Sequence, residues 1–276
     1  MNKVLDVFLL IFISVFLISQ IAYGTDSLNI IEQQSLDKFE ESKKVKEVVE
    51  DDQLNIKKTI FDLKDELGRE EFSDIKNIDE IVFGEPYKVI VADYAVIKDL
   101  INNKPILESI EKSPYSWEVP IFRTREVLES IGSFEVDIVD GKWGLAEVGG
   151  YMFPVDIEFS SNPEEISKFL EENQIENINS FFHICISELG TDFLYVNTDD
   201  NEYFIPLIYN VESSYGYKNR QILTRDELVE KVEEPIKRLE ENKNLDIGSS
   251  PDTTNPNKIN KYAIVLIGSV NKSVLK

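Results

Sequence analysis

His183 and Cys185 are the one pair in this chain that invites a mechanism. They are its single histidine and single cysteine, two residues apart in Phe181-Phe182-His183-Ile184-Cys185-Ile186. In an extended strand that spacing puts both side chains on one face, about 7 Å apart at their bases. An imidazole beside a thiol can take its proton and leave a nucleophilic thiolate. Reactive cysteines, however, favour helix N-termini and electropositive, partly exposed surroundings, and Ile184 and Ile186 flank this one. The pattern reads as a buried small hydrophobe beside a satisfied core histidine, and no catalytic residue is assigned.

Four carboxylates, Glu118, Glu135, Asp137 and Glu147, fall in and around an aromatic-rich hairpin. Two of them could serve a hydrolase as general acid and base. With 52 acidic residues in the chain, some pair always lies at a workable separation, so sequence does not single one out. The same region holds Tyr115, Trp117, Trp143, Tyr151 and Phe153. Trp117, Trp143 and Tyr151 are the candidate ligand-binding residues, because aromatic faces bind the apolar surfaces of sugars and peptides. The plain alternative is that these rings fill the inner face of a half-buried sheet.

Metal and cofactor chemistry find no support. The acidic turn Asn197 to Glu202 places Asn197, Asp199 and Asn201 at the first, third and fifth positions of a calcium loop. Glu202 then stands where a glycine is needed, and Ile208 where the bidentate glutamate is needed. A single histidine excludes every two-histidine zinc motif. There is no Gly-x-Ser-x-Gly, no phosphate-binding Walker loop and no Gly-x-Gly-x-x-Gly. Ser-x-x-Lys occurs five times in a lysine-rich chain, always without its companion motifs. No metal and no cofactor are expected, and a non-enzymatic protein is favoured over an enzyme.

Hairpins must position these residues. Phe134, Val136 and Ile138 alternate in one strand, Asp140-Gly141 is a type I′ turn signal, and Lys142 to Val148 returns. Asp199-Asp200-Asn201 joins a second hairpin, from strands at Asp192 to Thr198 and Glu202 to Tyr209. Further strands fall at Tyr87 to Ala92, at Ile178 to Ser187, and at Trp117 to Phe122, where Pro120 predicts an edge position. Asn162, Pro163 and Glu165 start one helix. Thr224 to Glu227 is a capping box that starts another, with Pro235 expected to kink or break it. Ile56, Ile60, Leu63 and Leu67 form a single helical stripe. Residues 25–52 read as a solvated helix or flexible stalk.

The predicted fold is therefore α+β: a mostly antiparallel sheet of two hairpin-containing halves, with helices on one face. The expected order is a signal peptide at 1–24, a polar, partly helical segment at 25–83 and a core domain at 84–243. A linker at 244–261 and a short apolar tail at 262–276 follow.

Residues 1–24 combine Lys3, an apolar run from Val7 to Ile18, and Ala22-Tyr23-Gly24 as a cleavage site before Thr25. The run is short for a membrane span, which favours cleavage over an uncleaved anchor. The abundance of Lys, Ile and Asn suggests an AT-rich bacterial genome.

The net charge is −23 over 276 residues, of which 42% are hydrophobic. That is too apolar for a disordered chain and too acidic for a general nucleic-acid binder or for docking to anionic lipid. Residues 84–217 hold most of the excess, 25 acids against 8 bases. The expectation is a secreted bacterial protein of extracytoplasmic location, acting as a binding or interaction module. Its partner is a protein or an envelope ligand, with no nucleic acid, and the membrane is met only through an uncleaved N-terminal segment. The alternatives are a carboxylate hydrolase or a membrane-tethered sensor or envelope factor.

Overall fold

The computed structural model describes residues 27–66, 70–92, 94–124, 128–148, 154–208, 213 and 215–245. The signal segment, Tyr151, Phe153, most of the linker and the apolar tail lie outside the described residues. Its strands are β1 (Ile81–Phe83), β2 (Tyr87–Ala92), β3 (Tyr115–Thr124), β4 (Leu128–Val139) and β5 (Lys142–Val148). After them come β6 (Ile178–Ile186), β7 (Thr191–Thr198), β8 (Glu202–Leu207) and β9 (Leu223–Thr224). They make one nine-stranded sheet in the order β5-β4-β3-β2-β6-β7-β8-β9, with β1 also paired to β3. Every pairing is antiparallel except β2 with β6. The α+β architecture thus consists of two antiparallel meanders, β3–β5 and β6–β8, joined along one parallel seam.

Local chemistry explains the hairpins. Asp140 and Gly141 both have positive φ, 52° and 77°, the backbone of a type I′ turn whose twist matches its strands. Asn162 accepts a hydrogen bond from the Glu165 amide at 3.1 Å. The Thr224 amide donates to the Glu227 carboxylate at 2.8 Å, closing the expected capping box.

Two expectations are corrected by packing. β3 is a central strand, between β4 on one side and β1 and β2 on the other, in spite of Pro120. The Pro120 carbonyl accepts from the Gly84 amide at 2.9 Å, so its missing N–H faces the same side. There Gly84-Glu85-Pro86 interrupts the ladder between β1 and β2, so the proline falls at a break in the pairing. The last helix runs unbroken through Pro235, as α9 (Arg225–Leu245). Val232 and Ile236, on either side of the proline, are both buried in one core and hold both parts of the helix to it.

Helices cover both faces of the sheet rather than one. α2 (Ser42–Asp51), α3 (Gln53–Leu63) and α4 (Glu70–Ser73) bury Val45, Ile56, Ile60 and Phe72 against Trp117, Val119 and Phe134. Residues 42–51 are therefore tied to the core through Val45, not a free stalk. α5 (Tyr94–Ile101), α6 (Leu107–Lys112) and α9 cover the same face of the other meander. The opposite face of that meander lies under α1 (residues 27–32), α7 (Pro154–Ser160) and α8 (Pro163–Glu172). Among the described residues no helix is long and apolar enough to cross a membrane.

Candidate binding cavity and carboxylate row

The parallel seam places Val89 opposite His183 and Val91 opposite Cys185. Side chains alternate along a strand, so Tyr87, His183 and Cys185 share the face beneath α7 and α8. His183 is buried, its ring centroid 5.0 Å from Tyr87 and 5.1 Å from Phe181. Neither ring nitrogen makes a hydrogen bond of full geometry, the contact with the Ser160 backbone falling short of it, and the buried Tyr87 hydroxyl has no partner. Burial pushes His183 down to about 3, with the Ser160 backbone pulling the other way. Burial, then the charges of Glu118, Asp192 and Asp156, holds the Tyr87 phenol well above its ordinary range. Both groups are neutral at every ordinary pH.

These two polar groups line a cavity of about 280 Å³. Ile31, Leu36, Pro86 and Ile166 supply apolar wall, and Gln34, Asp37, Lys46 and Glu85 also line it. The segment after α1 crosses the cavity as a strap, pinned by a single bridge between Ser35 and Tyr87. The histidine is buried as a core residue is, but it is incompletely satisfied and looks into open space.

Cys185 is half-buried and lies directly across from Asp192 in the β6–β7 register. Burial, reinforced by Asp192, raises its thiol far above the usual range, so the thiolate required of a nucleophile does not form. Asp192 itself is pushed up to about 6 by burial, against the hydrogen bond it shares with Cys185.

Beyond β2 the same face changes character. Glu118 on β3 stands opposite Glu135 on β4, which stands opposite Glu147 on β5. The register thus lines up three of the four carboxylates of the expected pool. Asp137 pairs with Gly144 one step along, and its carboxylate accepts from the Ile138 amide at 2.6 Å. Glu118 accepts a hydrogen bond from the Ser133 hydroxyl. Burial pushes it up to about 8, helped by the charges of Glu135, Asp192 and Glu147. Glu147 is raised by burial and then by Glu135. Among the described residues no group of three or more His, Cys, Asp or Glu converges as a metal site.

Helix α7 packs over β4 and is fastened by Asp156, a carboxylate with no exposed surface. Arg220 Nε donates to it at 2.6 Å and Asn219 Nδ2 at 2.8 Å. The Arg220 guanidinium also lies 4.1 Å from the Phe159 ring.

The expected aromatic platform lies on the other face of β3. Trp117 is fully buried, edge-on to Phe39 at 5.2 Å, and its indole N–H reaches Glu41 at 3.3 Å. The Tyr115 hydroxyl donates to the same carboxylate at 2.7 Å. The Lys88 ammonium lies 4.0 Å from the Tyr115 ring and 4.3 Å from Phe39, so the chain fills this aromatic box with its own cation. Trp143 is half-buried, 6.2 Å from Tyr115, while Tyr151 is outside the described residues. In the acidic turn, Asp199 accepts from Asn179 at 2.9 Å. Glu202 turns towards Arg225, 2.5 Å away, rather than into the loop.

Tyr87 carries no sequence signal of its role, since its partner His183 is brought to it only by the seam. Family models, curated proteins and solved structures were each compared with the chain, and none matches it.

Proposed function

We propose that this protein is an exported, non-enzymatic binding module that works outside the cell membrane and takes a small molecule into the cavity at the β2–β6 seam. One observation carries the reading: two buried hydrogen-bonding groups, Tyr87 and His183, meet at a cavity, and neither makes a hydrogen bond of full geometry. An unmet buried polar atom costs about 1–3 kcal/mol, so such a pair marks a place where something else completes the bonding. A histidine held at about 3 is too weak a base for acid–base chemistry near neutrality, which favours binding over catalysis. Mass spectrometry of the extracytoplasmic fraction is expected to find a mature N-terminus at Thr25. Intact Met1 in the membrane fraction replaces secretion by a tether. Native mass spectrometry of the same material is expected to show a bound small molecule that Gln34→Trp, at the cavity wall, excludes. Ligand retained by Gln34→Trp, or none in the wild type, removes the cavity from the reading.

A second reading is favoured by Glu118 and Glu135. A carboxyl protonated up to about 8, directly opposite another carboxylate, is how a general acid and its partner are set apart. Hydrolysis of an aryl glycoside that Glu135→Gln abolishes, with the fold intact, moves the protein to the hydrolases.

A further inference from the structure

We infer that the cavity is built for an uncharged, mostly apolar ring compound that carries a single hydrogen-bonding oxygen. The inference rests on the binding reading above and narrows it to a ligand class.

Size comes first. The cavity is about 280 Å³, roughly twice the ~150 Å³ apolar cavity that admits one benzene. A substituted single ring or two fused rings match that space.

Bonding capacity comes next. The phenol can donate one bond and accept another, a neutral imidazole offers one donor and one acceptor, and both sit among Ile31, Leu36, Pro86 and Ile166. One ligand hydroxyl can bridge the phenol and one imidazole nitrogen, accepting from one and donating to the other. A sugar would bring several hydroxyls against Ile31, Leu36, Pro86 and Ile166, and each one out of reach of Gln34 and the lining serines would stay unmet at about 1–3 kcal/mol.

Charge decides the rest. The charged lining residues, Asp37, Lys46 and Glu85, are all exposed and belong to the rim. At depth stand Tyr87, His183 and Ser160, none of them charged. An anion or a cation would lose its hydration there without an opposite charge to replace it.

The sole histidine makes the test direct. In the whole protein, isolated with ring-¹⁵N histidine, the two His183 nitrogen shifts report on the cavity floor without ambiguity. Four probes are titrated: 4-methylphenol, 4-methylbenzoate, 4-methylbenzylammonium and N-acetylglucosamine. The expected result is a saturable shift of both nitrogens with 4-methylphenol alone, weakened about tenfold in Tyr87→Phe, the loss of one hydrogen bond. Saturation by either ion or by the sugar overturns the ligand class while the cavity stays a binding site. Silence with all four overturns the inference, and the binding reading then stands or falls by native mass spectrometry. Unchanged affinity in a folded Tyr87→Phe overturns the role given to the phenol.

Discussion

One face of the sheet solves the problem of buried polarity in two ways. On the β6–β8 side, Tyr87 and His183 are neutral groups among apolar walls, roofed by α1, α7 and α8. On the β3–β5 side, Glu118, Glu135 and Glu147 form a row of acids whose middle member has an acid on either side. The first region avoids charge through burial that keeps an imidazole from accepting a proton. The second avoids it through burial and mutual repulsion that keep a carboxyl from losing one. The shared lesson is that desolvation, not a catalytic partner, is the largest influence on the protonation of Tyr87, His183, Cys185 and Glu118. The regions differ in what would complete them: a ligand oxygen in the one, a proton in the other.

Helix α7 belongs to both regions, since it packs on β4 while its Ile157 and Phe159 join the cavity-side core. Its clamp is the buried Asp156 with Arg220 and Asn219. Removing one member of a buried ion pair strands the other, at about 3–5 kcal/mol. Asp156→Ala is therefore expected to produce the largest loss of stability, about 3 kcal/mol, read as a lower urea midpoint. A loss below about 1 kcal/mol, the range of an exposed pair, means that α7 is not the common clamp and that the two regions are independent.

How much of this was legible depended on whether the information was local. Both hairpins, both helix starts and the α+β class follow from turn chemistry, caps and alternation, which act over a few residues. Helices α5 and α6, between β2 and β3, went unread because Tyr94–Ile101 and Leu107–Lys112 are short and carry weak start signals. Pro120 misled because its missing N–H matters only if an intact strand faces it, and Gly84-Glu85-Pro86 breaks that strand. The carboxylate pool was visible as composition, but the facing of Glu118, Glu135 and Glu147 is a property of register. The same register puts the expected platform residue Trp117 on the opposite face from Glu118. The cavity was invisible for the strongest reason: it depends on the one parallel pairing, which brings residues 89 and 183 together across most of the core.

The acid row has a pH signature of definite sign. Glu118 holds its proton up to about 8 in the folded state, against 4.5 when exposed. Between those values the folded state binds more protons than the unfolded chain, so stability falls as pH rises through that window and levels off above it. Glu118→Gln keeps the shape and an oxygen for Ser133 but has no proton to lose. It is expected to match the wild type near pH 4.5 and to be more stable at pH 9 by about 2 kcal/mol, the full shift being reduced by partial solvent access. Urea denaturation across that range checks it; a constant difference between the two proteins refutes the assignment to Glu118.

On the cavity side the expected effect is smaller and its slope is reversed. His183 stays neutral in the folded state down to about 3, against 6.5 when exposed. Below 6.5 the unfolded chain takes up a proton that the folded state refuses, so this residue costs stability as pH falls towards 3. His183→Phe puts an apolar ring of similar size between Tyr87 and Phe181 and removes two incompletely bonded nitrogens. At pH 8, where neither state is charged at this position, only that relief remains, and the variant is expected to gain about 1 kcal/mol. The gain should widen below pH 6.5, opposite in direction to Glu118→Gln, whose gain appears only on the alkaline side. A loss at pH 8 would mean that the imidazole is satisfied in solution by an ordered water, and that the cavity floor is hydrated rather than waiting for a ligand. The ring-nitrogen titration of the wild type provides the control, because an imidazole that charges near 6.5 removes both the slope and the distinction between the two regions.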